Sequence, residues 1–308
     1  MSDILAIGEP MIEFNQTVPG EPTYLQGYGG DTSNFCIAAA RQGARVGYIT
    51  RLGDDGFGRM FRALWEAEGV DAGGVLTEPG AFTAAYFVTH SAAGHEFSFL
   101  RSGSAASRLA VADLPRAALA AARYLHVSGI SQAISGSACD AVFAAIAAAR
   151  ESGARICYDS NLRLKLWPLA RARAVICETI GQSDYFFPSL DDARALSGRD
   201  DPQAILDWCY HHGARAVLLK LGGDGVTVSE APGAAPVHLP GHRVEAVDAT
   251  GAGDCFAGAA VARLAAGDDL LDAARYANAA AALTTTGFGA VAPIPRPQDV
   301  RDFLARQR

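Results

Sequence analysis

Short apolar runs alternate with alanine-rich stretches of helical periodicity through the middle of this chain, and their spacing sets the expected elements. Tyr124–Ser128, Arg155–Asp159, residues 184–187 and Ala216–Lys220 are too short for helices and are mostly apolar, so they read as strands buried on both faces. Between them, 136–153, 202–213 and 251–267 read as helices that stop on glycine, the residue suited to a left-handed helix end. This rhythm predicts an α/β fold with a parallel sheet, helices on both faces and right-handed crossovers.

The first third of the chain breaks the rhythm. Residues 4–8 and 46–50 resemble further strands of the sheet, but 11–15 and 82–100 read as additional strands that interrupt the βα pattern. Within the second of these, 84–90 and 95–101 are joined by Ala92-Ala93-Gly94, which predicts a hairpin. A small β-sheet built from roughly 11–28 and 82–103 should therefore project as a lid from a single domain spanning 1–308. Near the other end, 230–236 is rich in glycine and proline and predicts an exposed turn between two late strands.

Composition narrows the partners. The 308 residues carry 26 basic and 33 acidic side chains, a net charge of −7, with no long basic run, so nucleic acid and anionic membrane are not expected partners. Cys36, Cys139, Cys157, Cys177, Cys209 and Cys255 are dispersed and mostly among apolar neighbours, as expected for reduced core thiols. The pair His211-His212 points to different faces of a helix end and does not predict a metal site. The N-terminus lacks a basic region followed by an apolar segment, which fits a cytoplasmic protein.

The densest chemistry lies in Asp248-Ala-Thr-Gly-Ala-Gly-Asp254. Gly251 and Gly253 allow close backbone approach to a ligand, and the run that follows reads as a buried helix whose N-terminal amides and dipole favour an anion. Asp254 in the first turn could accept the proton of a hydroxyl attacking a phosphoryl group. The loop has no lysine of the Walker type, and Gly251-Ala-Gly253-Asp-Cys-Phe256 fails the dinucleotide-binding pattern at its last position. The plainer alternative is a helix cap and a chain turn.

Two segments together carry a family resemblance over essentially the whole chain: residues 29–43 continuing to 51–58, and the loop 248–254. They resemble the signatures of the ribokinase-like, or phosphofructokinase-B type, carbohydrate kinases. Residues 99–107 and 159–167 are most similar to the 2-keto-3-deoxygluconate kinases within it. The resemblance implies transfer of the γ-phosphate of ATP, with Mg²⁺, to a terminal hydroxyl. Asp254 would be the base and Gly251, Ala252 and Gly253 the anion hole. Gly30, Asp31 and Asn34 would meet substrate hydroxyls, with capping by Asp31 or Thr32 as the alternative.

Arg101 and Arg163 would grip the carboxylate of a sugar acid through paired hydrogen bonds, which a neutral sugar would not need. Their alternatives are a solvated hairpin end and a surface or ATP-phosphate contact. Tyr86 would offer substrate a hydroxyl and a ring face, or would simply pack. Lys220, Gly222, Gly223 and Gly225 would approach the nucleotide, and Asn278 corresponds to a position near adenine.

Where relatives often have Asn-x-x-Glu for magnesium and phosphate, this chain has Ser189-Leu-Asp-Asp192, and Phe99 stands where some relatives have tyrosine. Ser189 then falls to the nucleotide side and Asp192 to Mg²⁺, and a monovalent cation such as K⁺ would sit near Asp248 and Thr250. The expected partners are a small sugar acid, ATP and, through the lid, another copy of the chain. Fructose, ribose and 2-keto-3-deoxygalactonate are the competing substrates. A non-catalytic sensor of sugar or nucleotide is the competing class.

Overall fold

The computed structural model describes residues 2–91 and 94–307, so Ala92 and Ala93 of the expected hairpin turn lie outside the described residues. The strands are β1 (Ile4–Ile7), β2 (Met11–Gln16), β3 (Tyr24–Gly29), β4 (Val46–Gly53), β5 (Asp71–Glu78), β6 (Ala85–Ser91), β7 (Gly94–Leu100), β8 (Tyr124–Ser128), β9 (Arg155–Asp159), β10 (Tyr185–Phe186), β11 (Ala216–Lys220), β12 (Gly225–Ser229) and β13 (Val237–Pro240). Nine form the main sheet in the order β13-β12-β11-β10-β9-β8-β1-β4-β5.

Every neighbouring pair from β5 through to β11 is parallel, as the alternating pattern predicts. The last two strands depart from it: β12 returns antiparallel to β11, and β13 antiparallel to β12. Their connections, 221–224 and 230–236, are too short for the helical crossover that a parallel return requires.

The expected helices appear as Gly136–Glu151, Pro202–His211 and Ala252–Ala266, followed by Gly153, Gly213 and Gly267 at φ of +83°, +87° and +104°. Gly56–Glu68, Leu169–Gln182 and Leu270–Thr284 are helices that the pattern of apolar runs does not single out. In Leu270–Thr284 alanine fills both inner and outer positions, which blurs the apolar stripe that marks a helix. Alternate residues of β1 serve opposite faces of the sheet. Ile4 and Ala6 join a core with Asp31–Arg41, Ala252–Ala266 and Leu270–Thr284, while Leu5 and Ile7 join one with Gly136–Glu151 and Leu169–Gln182.

The segments expected to form the lid make a separate four-stranded sheet in the order β3-β2-β6-β7. The chain leaves β1 for it through Glu9-Pro10 and returns at Gly30, where the two passages touch. Gly30 has φ +95°, and a Cβ there would lie 2.3 Å from the Glu9 carbonyl oxygen, so only glycine fits.

Helix Asp31–Arg41 starts directly after Gly30 with no side-chain cap, which removes the capping alternative for Asp31 and Thr32. Its first turn is polar yet buried because it is internally bonded: Thr32 to the Tyr48 hydroxyl at 2.9 Å, and Ser33 from the Trp65 indole at 3.0 Å. This helix lies on Ala252–Ala266 at Gly258, where a Cβ would stand 2.6 Å from the Phe35 carbonyl oxygen and 2.8 Å from the Ala38 methyl.

Gly258→Ala should therefore push apart the two helices that carry Asn34 and Asp254. Overpacking of roughly 1–3 kcal/mol should lower the thermal midpoint by several degrees, as followed by circular dichroism. An unchanged midpoint would show that the helices can separate without penalty.

Candidate active site

Helix Ala252–Ala266 begins after Gly251, which has φ +77° and packs so closely on the C-terminal loop that a Cβ would lie 2.8 Å from the Ala290 carbonyl oxygen. The first-turn amides have no intrahelical partners of their own and carry the positive end of the helix dipole. A Cβ on Gly253 would meet the ammonium nitrogen of Lys220 at 3.3 Å. The structure thus brings a cation from the end of β11 beside Gly253, in the first turn of the helix that follows the sequence-predicted Gly251, while the Ala252 amide donates to the Ala249 carbonyl at 3.2 Å.

Lys220 is held there by Asp159, at the end of β9, through a 2.5 Å ion pair whose side chains are 15% and 6% exposed. Asp254, partly open to the cleft, accepts a 2.8 Å hydrogen bond from the Asn34 amide. Burial, then the negative charges of Asp31 and Asp159, push the Asp254 carboxyl up to about 8, against the opposing pull of Asn34 and Lys220. Crowded carboxylates resist joint ionisation, so Asp254 holds its proton firmly and is a strong base once it has lost it.

Beside Asp254 lies a cluster of buried polar side chains, Asn34 and Asp31. Asp31 accepts from the Asn161 amide at 2.9 Å and from the Ser128 hydroxyl through the same oxygen, Oδ2. Its Oδ1 and the Oδ1 of Asn34 are buried without a partner in the protein. Unpaired buried acceptors are costly, and hydroxyl donors of a polyol would satisfy both. Asn161 is the only non-glycine residue at positive φ among the described residues, at +31°, and its own amide is fixed by the Asp159 carboxylate at 3.1 Å. Such strain is characteristic of functional sites, and asparagine tolerates it well.

The lid contributes Tyr86, which is buried and donates its hydroxyl to Glu13 Oε2 at 2.5 Å. Its ring packs over Gly29, where a Cβ would lie 2.5 Å from the phenol oxygen, and beside Phe97 and Phe99. Glu13, raised by burial, sits where a Cβ on Gly289 of the C-terminal loop would be 3.2 Å from its Oε1. A cavity of about 380 Å³ lies beside it, bounded by Asn15, Gly27, Arg41 and Phe288.

The two arginines are not brought to a common partner. Arg101 is paired with Glu9 at 2.5 Å, whereas Arg163 is exposed and donates to the carbonyl of Leu162. Gly222, Gly223 and Gly225 form the bend of a β11–β12 hairpin, with Gly222 at φ +62° and Gly225 at +99°.

Ser189 caps helix Leu190–Ser197 by accepting from the Asp192 amide at 3.1 Å and bridges to Lys220. Asp192 Oδ2 in turn accepts from Ser160 Oγ at 2.8 Å and the Leu162 amide at 3.0 Å, tying this helix to the loop after β9. Asn278 donates to the Pro240 carbonyl at 2.8 Å. Asp248 takes hydrogen bonds from Thr250 and from the Gly289 amide, which locks the glycine-rich loop to the C-terminal loop. Sequence reasoning missed Glu9, Glu13, Asp159 and Asn161. The last two stand at the carboxyl end of a predicted strand, where ligands of open α/β sheets bind, and that position was the available signal.

Comparison with known proteins shows the family and the fold. The model of the pfkB family carbohydrate kinases matches residues 1–297. A 2-dehydro-3-deoxygluconokinase of Thermoproteus tenax is 34% identical over 99% of this chain and 94% of its own length. Fructokinase-1 of Zea mays is 33% identical over 98% of both. Among solved structures, an E. coli protein described as a ribokinase II, in complex with ATP and Mg²⁺, superposes with a TM-score of 0.91 at 28% identity, covering 99% of this chain and 100% of that one. The chain belongs to the pfkB family of carbohydrate kinases and is a phosphotransferase with an alcohol acceptor.

The perturbed acid in this site has a consequence for stability. Unfolded, Asp254 ionises near 3.8, and folded near 8, so the folded state holds the extra proton between these values and stability falls as pH rises through that window. Asp254→Asn removes the ionisation, so its thermal midpoint should exceed that of the unmodified protein at pH 8.5 and approach it near pH 5. A constant difference across that range would place the Asp254 acidity at its ordinary value.

Proposed function

We propose that this enzyme phosphorylates the terminal hydroxyl of 2-keto-3-deoxygluconate with ATP and Mg²⁺. The observation that carries the chemistry is the position of Asp254 between the anion cradle of Gly253 and Lys220 and the unpaired acceptors of Asp31 and Asn34. A sugar whose hydroxyls donate to Asp31 and Asn34 would present its terminal hydroxyl to Asp254. Asp254 takes that proton as the oxygen bonds to the γ-phosphorus and the bond from that phosphorus to the bridging oxygen of ADP breaks, while the helix amides and Lys220 offset the charge on the phosphoryl oxygens.

Mg²⁺ characteristically reaches such sites with the triphosphate and takes only one or two protein carboxylates, and Asp192 fits that role on the nucleotide side. When bound it would neutralise phosphate charge. A monovalent cation at Asp248 and Thr250 belongs to the same proposal.

The sugar-acid choice is supported by Arg101, which lies just after the lid strand β7, and by the similarity to the Thermoproteus tenax enzyme. A neutral hexose, as in the fructokinase relative, is the second reading. The observation in its favour is that Arg101 already has a carboxylate partner in Glu9 and Arg163 is exposed.

ADP release should be compared for 2-keto-3-deoxygluconate, its galactonate epimer, fructose and ribose, with and without KCl. Turnover confined to the two keto-acids supports the proposal, and preference for fructose overturns the substrate while keeping the kinase. Asp254→Asn should lower kcat by about 10²-fold or more with modest change in KM. Arg101→Ala should raise KM for the acid far more than for fructose, and equal losses would remove the carboxylate role from Arg101.

A further inference from the structure

Glu9 is the most deeply buried charged side chain of the lid crossing, with none of its surface exposed, and it faces Arg101, which is 12% exposed. One oxygen receives Arg101 Nη2 at 2.5 Å and the other the Ser104 hydroxyl at 2.7 Å, so the carboxylate is pinned from both sides. Arg101 Nε, by contrast, is buried without a partner, and the guanidinium lies 5.7 Å from the Phe99 ring centroid. The guanidinium is therefore half used: one nitrogen is committed to Glu9, and another is buried with no acceptor from the protein.

We infer that Glu9 is a counter-carboxylate that a substrate acid has to share Arg101 with, and that it thereby sets the preference of this enzyme between acidic and neutral sugars. This rests on Arg101 receiving the substrate's carboxylate, as proposed above.

The physical basis is charge. Empty, the Glu9–Arg101 pair is neutral. An arriving carboxylate leaves a net negative charge in a region shielded from water, with Asp31 close by. A neutral sugar adds no such charge, so Glu9 acts as a repulsive element against acids only, a device for specificity by selective penalty. Protonation of Glu9 would relieve it, and burial already raises the Glu9 carboxyl against the opposing pull of Arg101 and Ser104. The groups facing it are Arg101 and Ser104 from the segment after β7, Asp31 from helix Asp31–Arg41 and the Tyr48 hydroxyl from β4.

Glu9→Gln keeps the size and an acceptor for Arg101 while removing the charge. KM for 2-keto-3-deoxygluconate should fall about tenfold at pH 8, with KM for fructose and for MgATP moving less than twofold. The ratio of the acid's KM between the unmodified and Glu9→Gln proteins cancels every other titrating group, and should shrink toward one as the pH is lowered and Glu9 takes a proton. Should the substituted protein fail to fold, Ser104→Ala removes a donor that favours ionised Glu9, so Glu9 takes its proton more readily and the acid's KM should drop about two- to threefold with KM for fructose unchanged; no drop overturns the inference.

An acid KM that is unchanged or higher in a folded Glu9→Gln protein overturns the inference, because Glu9 would then merely orient Arg101. Turnover of fructose with no turnover of either keto-acid overturns the substrate proposal, and the role of Glu9 with it.

Discussion

Three carboxylates, Asp31, Asp159 and Asp254, gather around a single ammonium, Lys220, and the rest of the site depends on how that imbalance is resolved. Asp159 takes the lysine directly, Asp31 takes neutral donors from Ser128 and Asn161, and Asp254 is left with the Asn34 amide and the lysine's more distant field. The least compensated member is the one that holds a proton, and it is also the one at the mouth of the anion cradle. The sheet makes the arrangement rigid. Asp159 and Lys220 end two parallel strands separated only by β10, so their separation is set by backbone hydrogen bonds and not by side-chain choice.

Much of this was legible in the residues. The helix that begins after Gly251, the helix opening at Asp31 and the separate small sheet all follow from local signals: glycine where φ must be positive, apolar runs of strand length and extended segments that break a βα rhythm. Two classes of feature were not legible. In alanine-rich helices such as Leu270–Thr284 the same small residue occupies buried and partly exposed positions, so the buried face does not stand out in the pattern. Pairings between distant charges, such as Glu9 with Arg101 or Asp159 with Lys220, depend on which chain segments the fold brings together, and local spacing carries no trace of partners 92 or 61 positions apart.

Arg101 shows why this matters for substrate. Taken as an isolated residue type, an arginine at the rim of a sugar site points to an acid. Once its partner is known, the same residue is a balanced pair, and selectivity becomes a difference between two competing carboxylates instead of the presence of one cation. On the inference drawn above, the choice of sugar rests on Glu9 and Arg101 at the lid crossing, with Asp31 close by.

The crossing of Glu9-Pro10 with Gly30 bears on how freely the lid could be exchanged. A carbonyl oxygen and an α-carbon meet there with no room for even a methyl group, so the two lid passages accept no bulk between them. A chimaera that carried another kinase's lid on this body would need glycine at that junction and, beyond it, apolar side chains to replace Ile12 and Ala85, which enter the main core, and Phe14 and Tyr28, which meet Phe57 and Phe61. The inner face of the lid is thus part of the body's own core.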